Sequence, residues 1–402
     1  MKVKFKHLFM VAFVAMASIV TFTSCSQDDD APTNGLTSKD IISYNVGIGN
    51  ALSTRATAVT PSNYEELMKN FVVTAVTDTT NLNNDLFQNY YIGNFSSPSL
   101  FTNKGSGWLG ETYYWPADST EKLSFYAFSP AQDTYNIKNI SMWKVLTLTA
   151  DADASKQVDY MSAYVPAVNK YTNNGTVKLN FKHLMSQVRF AVDKSSIKKG
   201  YQISVNGITI RNIRNKFFYD IVRHKAVSPA GNGPVAAFEE NNATHNFVAP
   251  ITAVNNLVNE KGIIDLTPAG GALLLPPQLF TLLSTDENDR TKPATSLQCL
   301  EISCKIYNTA NKKYVVGSAT SFGKIYVELN RPGKNEDNPS YPGATLNQKD
   351  PGWISGNCYT YILKFDGSDG WGVDPEGKPH NITFSVTVDD WKDANPNPNL
   401  NF

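Results

Sequence analysis

The chain has 402 residues, room for about two domains at roughly 100–200 residues each. It carries 36 basic and 36 acidic side chains; losing Lys2, Lys4 and Lys6 with the leader described below leaves 33 against 36, a balance of −3. There is no basic stripe, no like-charge run longer than Asp28 to Asp30, and no apolar run outside the leader long enough to cross a membrane. These features argue against nucleic acid as a partner and against a spanning segment in the mature chain.

Residues 1–24 have the form of a secretory leader. Lys2, Lys4 and Lys6 precede "LFMVAFVAMASIVTF", which is too short for a comfortable membrane span, and small residues follow. The leader ends in "FTSC", which resembles a bacterial lipobox with Phe22 where an aliphatic residue is usual. That resemblance implies that Cys25 becomes the first mature residue and carries diacylglycerol and a further acyl chain such as palmitate. At about 0.8 kcal/mol per buried methylene, multiple acylation would hold the protein to a membrane leaflet. "SQDDD" would then be a solvated tether; it also resembles the acid-rich export signal of Bacteroidetes surface lipoproteins.

Residues 25–55 contain an alternating stretch, "IISYNVGIG" (41–49), in which Ile42, Tyr44, Val46 and Ile48 share one face. It runs into "ALSTRAT", where Arg55 precedes Ala56 among small residues, an accessible-looking setting for a trypsin-like cut. "TPSNYEELMKN" is the one helix expected, with Ser62 as cap and Glu65 three residues on. Strand-like runs then recur at 70–76, 122–129, 176–181, 186–192, 201–210, 300–308, 359–365 and 382–388, separated by Asn, Gly, Pro and Asp. This pattern predicts an all-β protein, built as sandwiches. A polar, basic break at 193–200 places the division between a domain over 56–195 and another over 196–402.

Candidate chemistry is sparse. "GSGWLG" (105–110) matches a dinucleotide fingerprint in letters, but "ETYYWP" follows where a helix is required, so a loop is expected. "DGSDGWGVDPEG" (366–377) holds oxygen ligands without EF-hand spacing and suits a long hairpin loop. His183, His224, His245 and His380 are scattered, and Cys299, Cys304 and Cys358 have no zinc spacing. Core positions are expected for the three cysteines, with a bridge from Cys358 as an option. No catalytic residue, metal or cofactor is assigned.

"YYWPADSTEKLSFYAFSP" (113–130) resembles a signature of the fimbrillin family, the type V pilins and related lipoproteins of Bacteroidales. "VDYMSA", "VKLNFKHLMSQVRFAV", "LLLPPQL", "GNCYTYILKF" and "ITFSVTVDDW" follow in the family's order over nearly the whole mature chain. The resemblance implies two transthyretin-like β-sandwich domains in tandem and export as an outer-membrane lipoprotein. It further implies cleavage after an arginine, loss of the N-terminal strand, and a fimbria assembled from subunits that exchange strands. Arg55 and the Ile42–Tyr44–Val46–Ile48 face match those two roles. The tail "ANPNPNLNF" is a poor donor, because Pro396 and Pro398 lack the N–H a ladder needs, which favours a tip or accessory subunit. The alternative is a monomeric surface lipoprotein binding glycan of a host or bacterial surface through Trp108, Trp115 or Trp371.

Overall fold

The structure, a computed structural model, describes residues 40–48, 68–77, 89–105, 107–131, 137–140, 143–221, 225–227, 244–280, 298–329, 352–353, 355–367 and 384–390. From the N-terminus the strands are β1 (Ser43–Ile48), β2 (Asn70–Thr77), β3 (Tyr90–Ile92), β4 (Ser99–Asn103), β5 (Trp108–Leu109), β6 (Leu123–Ser129), β7 (Ile137–Ile140), β8 (Trp143–Thr149), β9 (Met161–Val168) and β10 (Thr176–His183). Then come β11 (Ser186–Asp193), β12 (Tyr201–Arg214), β13 (Lys216–Asp220), β14 (Lys225–Val227), β15 (Thr244–Ala249), β16 (Val254–Leu257), β17 (Ile263–Asp265), β18 (Leu273–Leu275) and β19 (Gln278–Leu279). The last six are β20 (Cys299–Asn308), β21 (Lys313–Val316), β22 (Gly323–Glu328), β23 (Gly352–Trp353), β24 (Asn357–Leu363) and β25 (Phe384–Asp390). Helix among the described residues is confined to three 3-10 turns, and none is long and apolar enough to cross a membrane. The protein is all-β, and each of the eight alternating runs forms a strand. The predicted helix at 60–70 falls mainly outside the described residues.

An N-terminal sheet runs β1-β10-β9-β6-β2-β4-β5, with β3 also on β2. A second runs β17-β11-β24-β25 with β18 on β11, and a third runs β15-β12-β20-β21 with β16 on β12 and β22 on β20. A four-stranded sheet, β14-β13-β8-β7, and the β19–β23 pair complete the set. The chain leaves the N-terminal sheet between His183 and Ser186: β11 pairs with β17, β18 and β24. Two hydrogen bonds hold this crossing, Leu184 N–H to the Tyr160 carbonyl and Gly356 N–H to the Met185 carbonyl, both 2.8 Å.

Periodicity explains which strands are covered on one face and which on two. In β10, Val177, Leu179 and Phe181 are buried while Lys178, Asn180 and Lys182 are exposed, so one side meets water. In β2 the residues from Phe71 to Val76 are all buried. Phe71, Val73 and Ala75 join one apolar cluster with Phe125, Leu179 and Phe181. Val72 and Val76 face the other cluster, which also takes in Phe190, Ile208, Leu300 and Tyr361. A continuous apolar run is what a strand between two packed layers requires.

In β12 the apolar parity changes, from Ile203 and Val205 to Ile208 and Ile210, yet all four are fully buried. The register against β20 shifts between Val205 and Gly207, so a bulge at Asn206 restores the inward face. Without the extra residue, half the strand would present its isoleucines to the wrong side. Cys299, Cys304 and Cys358 are buried and none forms a disulfide. Burial pushes the Cys304 thiol up to about 12 and that of Cys299 up to about 11.

The Phe71 ring ties the N-terminal cluster together, stacking on Phe101 at 5.3 Å and meeting Phe181 edge-on at 5.7 Å. Phe71→Ala should cost roughly 3–5 kcal/mol, the range for truncating a buried phenylalanine. The measurement is the denaturant midpoint at unchanged slope; a loss below about 1 kcal/mol would contradict this packing.

Candidate functional site

The face shared by Ile42, Tyr44, Val46 and Ile48 lies inward. Ile42, Val46 and Ile48 are buried, and Tyr44 is half-buried as a residue with its ring turned into the core. Ser43 and Asn45 on the opposite face are exposed. β1 ends the sheet and runs parallel to β10, from Ser43 opposite Thr176 to Ile48 opposite Phe181. The Ser43 and Thr176 hydroxyls are 3.0 Å apart across 133 residues of chain. A Cβ added at Gly47 would meet Asn180 Oδ1 at 3.2 Å, a tight approach.

The start of β1 is held on its other side as well. Ile42 N–H donates to the Tyr113 carbonyl and Trp115 N–H donates to the Asp40 carbonyl, each at 2.8 Å, around an antiparallel bridge between Ile41 and Tyr114. Tyr91 steadies this segment by donating its hydroxyl to the Tyr114 carbonyl at 2.7 Å. Lys170 Nζ stands 3.6 Å from Asp40 Oδ1. β1 therefore lies in a groove with β10 along one wall and residues 113–115 along part of the other. Its floor is aromatic: Tyr44 meets Phe101 at 4.8 Å and Phe71 and Phe125 at 6.2 Å, all edge-to-face. Burying Ile42, Val46 and Ile48 contributes roughly 1.5–3 kcal/mol each.

The other nominated residues are dispersed. Cys25, Arg55 and Ala56 lie outside the described residues, as do Trp371, most of 366–377 and the tail. Trp115 is buried, donating Nε1–H to the Gly175 carbonyl at 3.1 Å, and Trp108 packs edge-on against Phe71 at 4.7 Å. Both indoles are structural parts of the cluster beneath β1. "GSGWLG" is the turn into β5: Gly105 and Gly107 have φ of 78° and 146°, and Lys104 N–H bonds the Gly107 carbonyl at 3.0 Å. A strand follows it, so there is no helix N-terminus for a pyrophosphate.

The sequence reading missed one buried polar pair. His183 Nδ1 lies 2.9 Å from Asp159 Oδ1, with both side chains 4% exposed, where the chain leaves the N-terminal sheet. No local signal links two residues 24 apart. Among the described residues no group of three or more His, Cys, Asp or Glu could hold a metal ion.

The fimbrillin-like family model matches residues 54–391. The chain belongs to the fimbrillin-like family. Among solved structures it is similar to the fimbrial anchor protein Mfa2 of Porphyromonas gingivalis, at 11% identity and a TM-score of 0.31, covering 87% of this chain and 96% of that one. It is similar to the tip fimbrial protein Mfa3 of the same organism, at 9% identity and a TM-score of 0.39, covering 85% and 98%. A candidate cell adhesion protein from Bacteroides uniformis gives 13% identity and a TM-score of 0.41, covering 89% and 100%. No curated protein matches.

Burial raises the phenol pKa of Tyr44 above its ordinary value, and likewise those of Tyr126 and Tyr361. The folded chain keeps these protons at a pH where the unfolded chain releases them, near 10. Their contribution to stability is therefore complete below about pH 10 and falls as pH rises further. Denaturation midpoints measured from pH 8 to 11.5 should stay level to about pH 10 and then drop, with a smaller drop in Tyr44→Phe. A midpoint that rises above pH 10 would contradict this.

Proposed function

We propose that the protein is a subunit of a cell-surface fimbria, assembled by protease-triggered strand exchange at the groove that β1 fills. The observation that carries this reading is the seating of β1: a short edge strand buries one face on an aromatic floor and meets its main partner 133 residues away. Main-chain hydrogen bonds along β10 supply affinity for any extended strand, and alternate side chains fill pockets below. While β1 stays in place it shields an edge that would otherwise template pairing between chains. Cleavage between Arg55 and Ala56 would cut the covalent link and leave only these non-covalent contacts, so a strand from another subunit could replace β1 without loss of burial.

Membership of the family supports the fimbrial role. The rest of the reading comes from the sequence. It includes export as a lipoprotein acylated at Cys25, location at the outer membrane and cell surface, and two transthyretin-like sandwiches in tandem. The proline-containing tail supports a tip or accessory position, since a subunit that accepts a strand and donates none ends a fibre. Adhesion to a host or bacterial surface ligand belongs to the same role.

Two measurements test this. Arg55→Ala should block maturation by a trypsin-like protease and leave monomers, where the parent chain enters heat-stable oligomers on gels. Entry of the Arg55→Ala protein into fibres at the parent level would overturn strand exchange at this site and leave a glycan-binding lipoprotein as the better reading. Mass spectrometry of the uncleaved cellular protein should find an acylated Cys25 as its first residue; a free N-terminus elsewhere between 19 and 30 would overturn lipidation.

A further inference from the structure

The pocket under Tyr44 does not suit a tyrosine. Its ring is edge-on to Phe71, Phe101 and Phe125, which gives the ring good aromatic contacts. Its hydroxyl, however, is sealed from solvent and meets no hydrogen-bond partner. Among the described residues this is the one tyrosine hydroxyl left so. Tyr113, whose phenol bears on Tyr44 electrostatically, gives its own proton to Glu111 Oε2 at 2.5 Å. Two other buried tyrosines contrast with it: the Tyr219 hydroxyl accepts from Ser162 at 3.0 Å, and that of Tyr361 accepts from Trp353 Nε1–H at 3.0 Å. A hydroxyl removed from water without a partner weakens the element that carries it, whereas an apolar group of the same shape carries no such penalty.

The neighbouring positions on β1 contrast with this. Ile42, Val46 and Ile48 bring only hydrocarbon into the groove, and Ile42 and Asp40 also satisfy backbone bonds to residues 113–115. The unfavourable contact is confined to one position, at the centre of the inward face.

We propose that the Tyr44 pocket is the specificity-determining subsite of the groove, favouring a strand from a second fimbrillin-like chain that places phenylalanine or another hydroxyl-free apolar side chain there. The inference rests on the strand-exchange reading given above. The resident tyrosine fills the pocket well enough to close the sheet before cleavage, and its stranded hydroxyl leaves the resident strand the weaker competitor afterwards. Exchange then has a direction set by one oxygen atom.

Two experiments test it. In the full chain, Tyr44→Phe should raise the melting temperature measured below pH 9 by about 2 °C or more; no change or a fall would overturn the inference. In protein nicked after Arg55 with β1 still seated, peptides spanning residues 38–50 are added, one with Tyr44 and one with Phe in its place. Release of the labelled resident fragment should require about tenfold less of the Phe peptide, in line with the penalty for an unpaired buried hydroxyl. Equal potency would overturn the subsite while leaving strand exchange intact. Failure of both peptides to displace the fragment, even at millimolar concentration, would overturn strand exchange and the subsite with it.

Discussion

Phe71, Phe125 and Phe181 form a floor that is fully buried, with Phe101 beside them, and β1 supplies part of the layer that closes it. Everything about the N-terminal sheet follows from keeping that floor dry. β10 brings Val177, Leu179 and Phe181 to the inward face and turns its other side chains to water. A further strand must lie beside β10 with an apolar residue at every second position. β1 meets that need, and its hydrogen bonds to residues 113–115 bind its start on the side away from β10.

The covering strand reaches its seat from far away in sequence. It pairs with residues more than a hundred positions downstream and runs parallel to them. What holds it is the ladder and the pockets, together with a tether that raises its local concentration. Any extended segment offering the same backbone groups and a compatible pattern of side chains is chemically equivalent as a cover. The exchange proposed above would draw on this interchangeability and would turn on the differences between pockets. In that proposed exchange the Tyr44 hydroxyl is the feature that would separate one strand from another, since the other inward side chains of β1 bring only hydrocarbon.

The second apolar cluster of the molecule extends through several sheets, and several polar groups within it are partnered. Gln157 accepts from Leu274 N–H at 2.7 Å through Oε1, and Thr267 accepts from Phe190 N–H at 2.8 Å. Glu301, nearly buried on β20, is bracketed by Arg211 from β12 and by Lys324 from β22 at 2.7 Å. Charges and hydroxyls that are partnered in this way support one arrangement of the sheets, since any slip would strand them.

The sequence by itself determined the strands and their inward faces. Alternation is local, each strand carries its own record of it, and so the eight runs and the face shared by Ile42, Tyr44, Val46 and Ile48 were legible before any partner was known. The family was legible in the same way, from motifs spread in order along the chain. Only the tertiary structure decided which strand lies beside which, that β1 runs parallel to β10, and that β11 joins the second sheet although it precedes the polar break at 193–200. Those pairings depend on contacts between residues that no local pattern connects. The bulge at Asn206 shows the boundary between the two kinds of information: the change of parity from Val205 to Ile208 is written in the sequence, but only pairing with β20 turns it into a bulge. The same holds for the site. Tyr44 could be assigned to the core from its position in the alternation, whereas the orphaned hydroxyl and the His183–Asp159 pair exist only because folding brings distant chain segments, or withholds them, at a few ångströms.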